Sequence, residues 1–136
     1  MLDACACTRV RTASRLITRS YDYLLRDTGL KASQVSVLAG VDVSSEVSIS
    51  ALSKRLLMDR TTLSRNLKPL VAEGLVELGQ ESWRRSKVVR ITPKGRARLG
   101  KALPLWEQAQ SDLLKRVGRQ RWQAISAQLS ELISKY

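Results

Sequence analysis

The 136-residue chain contains no histidine and no phenylalanine, only 4% of it is aromatic, and it has two cysteines, Cys5 and Cys7. Without histidine it lacks the side chain that most often moves protons near neutral pH, and the commonest nitrogen ligand for metals. The two thiols have no base partner in the sequence, and no glycine-rich phosphate loop is present, so catalysis is not expected. Without phenylalanine, leucine, valine, isoleucine and alanine must fill the core. Cys5 and Cys7 stand too close together for an ordinary structural disulfide. No run of 18 apolar residues occurs, which excludes a membrane-spanning helix of the usual length. Residues 1–20 hold Asp3 and four arginines rather than the apolar stretch of a signal peptide, so a cytoplasmic location is expected.

What is present is basic charge. The chain carries 24 Lys and Arg against 12 Asp and Glu, a net charge of +12. With 43% hydrophobic residues it is long enough and apolar enough for one folded domain. The excess is concentrated: residues 51–100 hold 12 basic and 4 acidic side chains, against 6 and 5 in residues 1–50 and 6 and 3 in residues 101–136. A local basic excess of this size points to a polyanion, above all nucleic acid.

The stretch 58–74, M-D-R-T-T-L-S-R-N-L-K-P-L-V-A-E-G, lies inside that basic third. Asp59 is placed to cap a helix and Gly74 to end it. Leu63, Leu67 and Leu70 form one apolar stripe at helical spacing. The remaining surface carries Arg60, Thr61, Thr62, Arg65, Asn66 and Lys68, with no acid between Arg60 and Val71. Arginine can read guanine edges, asparagine can read adenine, and threonine and lysine suit phosphates. Pro69 should bend the last turn. An amphipathic surface helix with a solvated basic face is the competing reading of these residues.

Around this stretch the pattern predicts further elements. A helix over 8–27 follows from Cys7, Val10, Ser14, Ile17, Tyr21 and Leu24, whose 3-4-3-4-3 spacing makes a coiled-coil-like seam ending at Gly29. A short helix over 30–41 is read with Ser33 as cap and Gly40 as stop. A polar loop over 42–48 follows, with 47–49 as a candidate extended segment, and then a helix over 50–57 with Ala51, Leu52, Leu56 and Leu57 inward. That helix and the 58–74 stretch, joined by a tight turn, form a helix-turn-helix. Runs at 75–78 and 88–91 make a hairpin whose tip, 79–87, carries Arg84, Arg85 and Lys87, a wing placed to touch DNA phosphates or the minor groove. Thr92-Pro93 opens a long helix to about Val117, kinked at Pro104. A last helix over 120–135 bears Trp122, Ile125, Leu129, Leu132 and Ile133 on one face.

M-D-R-T-T-L-S-R-N-L-K-P-L, E-G-L-V-E and R-R-S-K-V-V-R-I-T-P-K-G, in this order of elements, resemble the MarR family of bacterial transcriptional regulators over essentially the whole chain. The resemblance implies a mainly α fold with a small β-hairpin wing, a winged helix-turn-helix in an intertwined homodimer. Residues 1–136 would form one domain, with dimerisation helices at about 1–28 and 93–136 and the winged helix-turn-helix at about 30–92. It implies recognition helices in successive major grooves of a palindromic operator on double-stranded DNA, and a small apolar acid or phenol as effector between the first helix and the reading head. The family often has an aspartate before the wing arginines; this sequence has Trp83 there.

The expected function is therefore a dimeric, sequence-specific regulator, read as a repressor. A non-specific architectural DNA-binding protein would use the same charge, and a degenerate module that binds only protein is the remaining alternative. No cofactor is required. Cys5 and Cys7 are either small packing residues or sensor thiols. In the second case they respond to oxidation or to a thiophilic metal or metalloid, with the neighbouring Arg9 and Arg11 favouring thiolate.

Overall fold

The computed structural model describes residues 5–80 and 87–136. The chain runs α1 (Ala6–Leu25), a 3-10 turn (Arg26–Thr28), α2 (Ala32–Asp42), β1 (Glu46–Ser48), α3 (Ile49–Leu56), α4 (Arg60–Ala72), β2 (Val76–Gln80), β3 (Lys87–Ile91), α5 (Pro93–Val117) and α6 (Arg119–Ile133). The predominance of helix with one small sheet agrees with the fold class read from the sequence. The sheet is antiparallel with order β1-β3-β2, so the wing is a hairpin plus a third strand. Glu46 faces Arg90, and Val47 faces Val89, across the added pair; the Glu46 carboxylate accepts a hydrogen bond from the Arg90 guanidinium.

One aliphatic core joins these elements. Leu25, Leu38, Leu52, Leu63, Leu70, Leu75, Val37, Val41, Val76, Val88 and Val89 are fully buried, and no polar or charged side chain among the described residues is buried with them. At about 1.5–3 kcal/mol per buried aliphatic side chain, this is where the head's stability comes from. The core lies beneath α4 and the sheet. The outer ends of the chain are different: α6 buries no residue within the chain, and the first half of α1 is exposed.

Several boundaries differ from the sequence expectation. α2 begins at Ala32, so Ser33 lies inside it and is not its cap. Its first turn is satisfied instead by Gln34, whose side chain accepts from the Lys31 N–H at 2.9 Å, and by Asp22 of α1, which accepts from the Ala32 N–H at 2.8 Å. Gly40 does not stop α2. It is buried within the helix, and a Cβ there would stand 3.0 Å from Leu52 Cδ1 and 3.3 Å from Leu56 Cδ2; it is a glycine because α3 packs directly on it. Leu57 is not an inward residue of α3. It is the C-cap, with φ 50° in the left-handed region, and its side chain is exposed. Ala51 is exposed too, while Leu52 is buried and Leu56 is half-buried against the core, as read. α5 continues through Pro104 as one 25-residue helix, which tolerates the loss of a single backbone bond.

Candidate nucleic-acid interface

The turn between α3 and α4 is fixed by local chemistry. Ser48 caps α3 by accepting from the Ala51 N–H at 3.1 Å. At the other end the Leu57 N–H donates to the Lys54 carbonyl, the Met58 N–H donates to the Ser53 carbonyl, and the Ser53 hydroxyl returns to the Met58 carbonyl. Arg55 anchors α3 to α2 by donating to the Gly40 carbonyl. Asp59 then caps α4: its carboxylate accepts from the Thr62 N–H at 2.7 Å and from the Thr62 hydroxyl at 2.9 Å. These two bonds, the backbone one first, hold the Asp59 carboxyl below the usual carboxylate range, so the cap is charged at neutral pH and favourably placed at the positive end of the helix. Gly74, at φ +69°, closes the far end.

Leu63, Leu67 and Leu70 are buried as the stripe requires. At 100° per residue this directs Thr61, Arg65 and Lys68 outward, and all three are exposed. No hydrogen bond among the described residues ties their side chains. The other candidates sit differently. Thr62 is half-buried and engaged with Asp59. Asn66 is half-buried on the flank, its amide nitrogen donating to the Thr62 carbonyl at 3.0 Å, so presenting both amide groups to a base needs a change of rotamer. Arg60 donates to the Ser50 hydroxyl at 3.2 Å, which lays it along the start of α3.

Arg60 and Lys68 meet Lys87 across a groove of about 770 Å³ between α4 and the base of the wing, floored by Ile49, Leu67, Val71 and Leu78. Ser50 and Ser64 also line it. The sequence reading missed both, because an isolated serine carries no signal until the fold puts it beside cations. Of the wing residues, Lys87 lies at the start of β3, paired in register with Gln80; Arg84 and Arg85, like Trp83, lie outside the described residues.

The two thiols lie far along the chain from this surface. Cys5 is the N-cap position of α1 and Cys7 the second residue of the helix; both are exposed and unpaired with each other. The thiol of Cys5 closes no cap hydrogen bond, yet the Thr8 hydroxyl, and after it the Thr8 backbone N–H, hold its pKa below the ordinary thiol value. No group of three His, Cys, Asp or Glu side chains among the described residues is arranged to hold a metal.

A further hollow of about 360 Å³ lies between α1, α2 and α5, lined by Ile17, Thr18, Tyr21, Ala32, Ser33, Ser36 and Trp106. Tyr21 and Trp106 meet edge to face at 6.0 Å. Burial raises the Tyr21 phenol above its usual pKa, and its hydroxyl donates to Gln110 on α5. No helix among the described residues is long and apolar enough to cross a membrane.

A capped helix with an outward cationic face, set between a short helix and a sheet, defines a winged helix-turn-helix. Comparison with known proteins agrees. The MarR family profile matches residues 28–85, which hold the helix-turn-helix and the first wing strand. The Mycobacterium tuberculosis transcriptional regulator MosR is 35% identical, with 100% of each chain covered and a TM-score of 0.83. The same regulator in complex with DNA is 38% identical over 94% of this chain and 92% of that one, with a TM-score of 0.85. A mutant MarR from E. coli, complexed with operator DNA, shares the fold at 21% identity, covering 90% and 89% of the two chains, with a TM-score of 0.82. No curated protein sequence matches the chain. The chain belongs to the MarR family of transcriptional regulators.

Proposed function

We propose that this protein is a cytoplasmic, sequence-specific DNA-binding repressor that acts as a homodimer on a palindromic operator. The observation that carries the reading is the division of α4 into a buried leucine stripe and an outward face of Thr61, Arg65 and Lys68 that makes no hydrogen bond among the described residues. Such a face suits a major groove. Arg65 is assigned to bases, with Asn66 beside it after a change of rotamer, and Thr61 and Lys68 to phosphates; Thr62 joins them only where its hydroxyl leaves Asp59. Arg60 and Lys87, across the basic groove, extend the phosphate contacts toward the wing, where Arg84 and Arg85 would continue them. The DNA-bound relatives support this use of the fold. Repression follows from occupancy of the operator.

The homodimer is supported by what the single chain leaves uncovered. Ile125, Leu129, Leu132 and Ile133 form an exposed stripe on α6, while Val10, Leu16 and Tyr23 are exposed on α1. Helices without tertiary cover are marginal in water. A second copy covers both and sets two α4 helices about one DNA turn, ~34 Å, apart. A non-specific architectural role uses the charge equally well but gives no task to a capped reading face. Arg65→Ala decides between them: it should cost about 1–3 kcal/mol of operator affinity and relax the preference at one base pair. Competition of variant operators against the parent reads this directly, and full retention of preference by the variant would remove α4 from the reading role.

Release from DNA is assigned to thiol chemistry at Cys5 and Cys7. Thiolate is the reactive form, and the Thr8 contacts favour it at Cys5. A peroxide takes the Cys5 thiolate to a sulfenic acid and leaves as water or alcohol. A second thiol, Cys7 or one from the partner, then displaces water to give the disulfide. Cys5 is the extended N-cap residue and Cys7 the second residue of α1, so a bond between them would close across the start of the helix. A soft metal is the alternative input and needs donors from both subunits. On titration with peroxide and with soft metal ions, wild type should release operator DNA while a Cys5→Ser/Cys7→Ser variant stays bound. Equal behaviour of the two proteins would make both cysteines packing residues. The competing effector site is the hollow beside Tyr21 and Trp106, whose lining has hydroxyls and no cation. Of the two expected ligand classes it therefore favours a phenol over an acid.

A further inference from the structure

Arg98 on α5 is tied to two elements that function otherwise leaves unconnected. Its Nη1 donates to the Thr28 carbonyl at 2.9 Å, in the 3-10 turn that ends α1. The same atom stands 3.1 Å from Glu73 Oε2, at the C-cap of α4. Gly29 makes room for it: the turn takes φ +72° there, and a Cβ would stand 3.2 Å from Arg98 Nη1. The side chain is only 25% exposed, so this contact is less screened than the surface ion pairs elsewhere in the chain.

The end of α4 is already fixed to the start of α5. Thr92 donates its hydroxyl to the Gly74 carbonyl at 2.6 Å, and Lys94 donates to the Glu73 carbonyl at 2.7 Å. Those bonds hold α4 to α5 alone. Arg98, one turn further on, adds the end of α1, so that three elements converge on one guanidinium. This matters through leverage. α4 has 13 residues and is therefore about 20 Å long, and a tilt of about 5° at Glu73 moves its Asp59 end by nearly 2 Å. That is enough to break base-edge hydrogen bonds.

We propose that Arg98 is a positioning residue for DNA reading: it fixes the direction of α4 relative to α1 and so sets the separation of the two recognition helices in the dimer. It touches no DNA. The inference rests on the dimeric, sequence-specific reading given above.

The test uses the full-length protein and an operator selected from random duplexes, together with versions of it whose half-sites are moved one base pair closer or further apart. Wild type should prefer the parent spacing by about tenfold or more, the size of a single mismatched base pair. Arg98→Ala should lower that ratio at least about threefold, by weakening the altered spacings less than the parent. Arg98→Lys, which keeps the charge on a shorter side chain, should fall between. Glu73→Gln keeps the Thr28 bond and should also reduce the ratio. Thermal melting and sedimentation of each variant report fold and dimer independently. An unchanged spacing ratio in a folded, dimeric Arg98→Ala or Glu73→Gln variant, whatever its melting temperature, would overturn the proposal and leave Arg98 a structural residue. If wild type itself showed no operator or no spacing preference, the sequence-specific reading would fail first, which is a distinct result.

Discussion

Alanine at Gly95 is expected to cost upward of about 3 kcal/mol and to take operator binding down with the fold. Gly95 is buried in the first turn of α5, and its N–H is the one that Thr92 caps, at 3.0 Å. A Cβ at this position would stand 2.0 Å from the Leu75 carbonyl oxygen and 2.9 Å from Ile91 Cγ1. The first of these is backbone at the junction of α4 and β2, so no side-chain rotation relieves it; either α5 lifts off or the end of the recognition helix moves. Denaturant unfolding of Gly95→Ala should show the loss. Gly100 is the matched control. It lies in the same helix, and a Cβ there would meet nothing within 4 Å, so Gly100→Ala should instead gain up to about 1 kcal/mol from helix propensity. Equal stability of the two variants would mean that α5 is not pressed against Leu75.

Breaking the proposed dimer should have an effect of similar rank on function while leaving the head folded. Leu129 lies in the middle of the exposed α6 stripe, and Leu129→Asp puts a charge where the partner's apolar surface is expected. Two linked heads bind one DNA with an avidity about 10²–10⁴ above that of one, so a monomeric variant should lose affinity on that scale. Sedimentation combined with operator titration checks both parts. A variant that stays dimeric and binds as wild type would show that α6 is not the interface. Since the head buries its core without any residue of α6, its helical signal should survive the substitution.

Much of the fold is legible in the residues, and the parts that are not have physical reasons. Asp59, the leucine stripe and Gly74 fix α4 through local contacts: a cap three residues from its donor, a period of 3.6, and a left-handed stop. Thr92-Pro93 is equally local, and the structure has it as read. Gly40 misleads because a glycine near the end of an apolar run reads as a stop, whereas its reason lies in α3, 12 residues further on, pressing Leu52 against it. Ser33 misleads because the true cap of α2 reaches over from Asp22 on another helix. Leu57 has the spacing of an inward residue; the turn puts it in the left-handed region and turns the side chain out. The third strand is visible only as a fragment, since the pairing of Glu46–Ser48 with β3 is set by partners about 40 positions away. On the candidate site, Arg65, Thr61 and Lys68 follow from helical geometry. The tethering of Asn66 to Thr62 and the meeting of Lys87 with Arg60 and Lys68 depend on side-chain packing that periodicity does not contain.

Two copies of α4 are proposed to read a defined DNA sequence. Selection of bound duplexes from a random pool by the full-length protein, at stated salt, tests this most directly. Enrichment of one inverted repeat whose half-sites are centred about one helical turn apart is the expected result. Retention of DNA without any enriched sequence, or enrichment of a single unrepeated half-site, would contradict it.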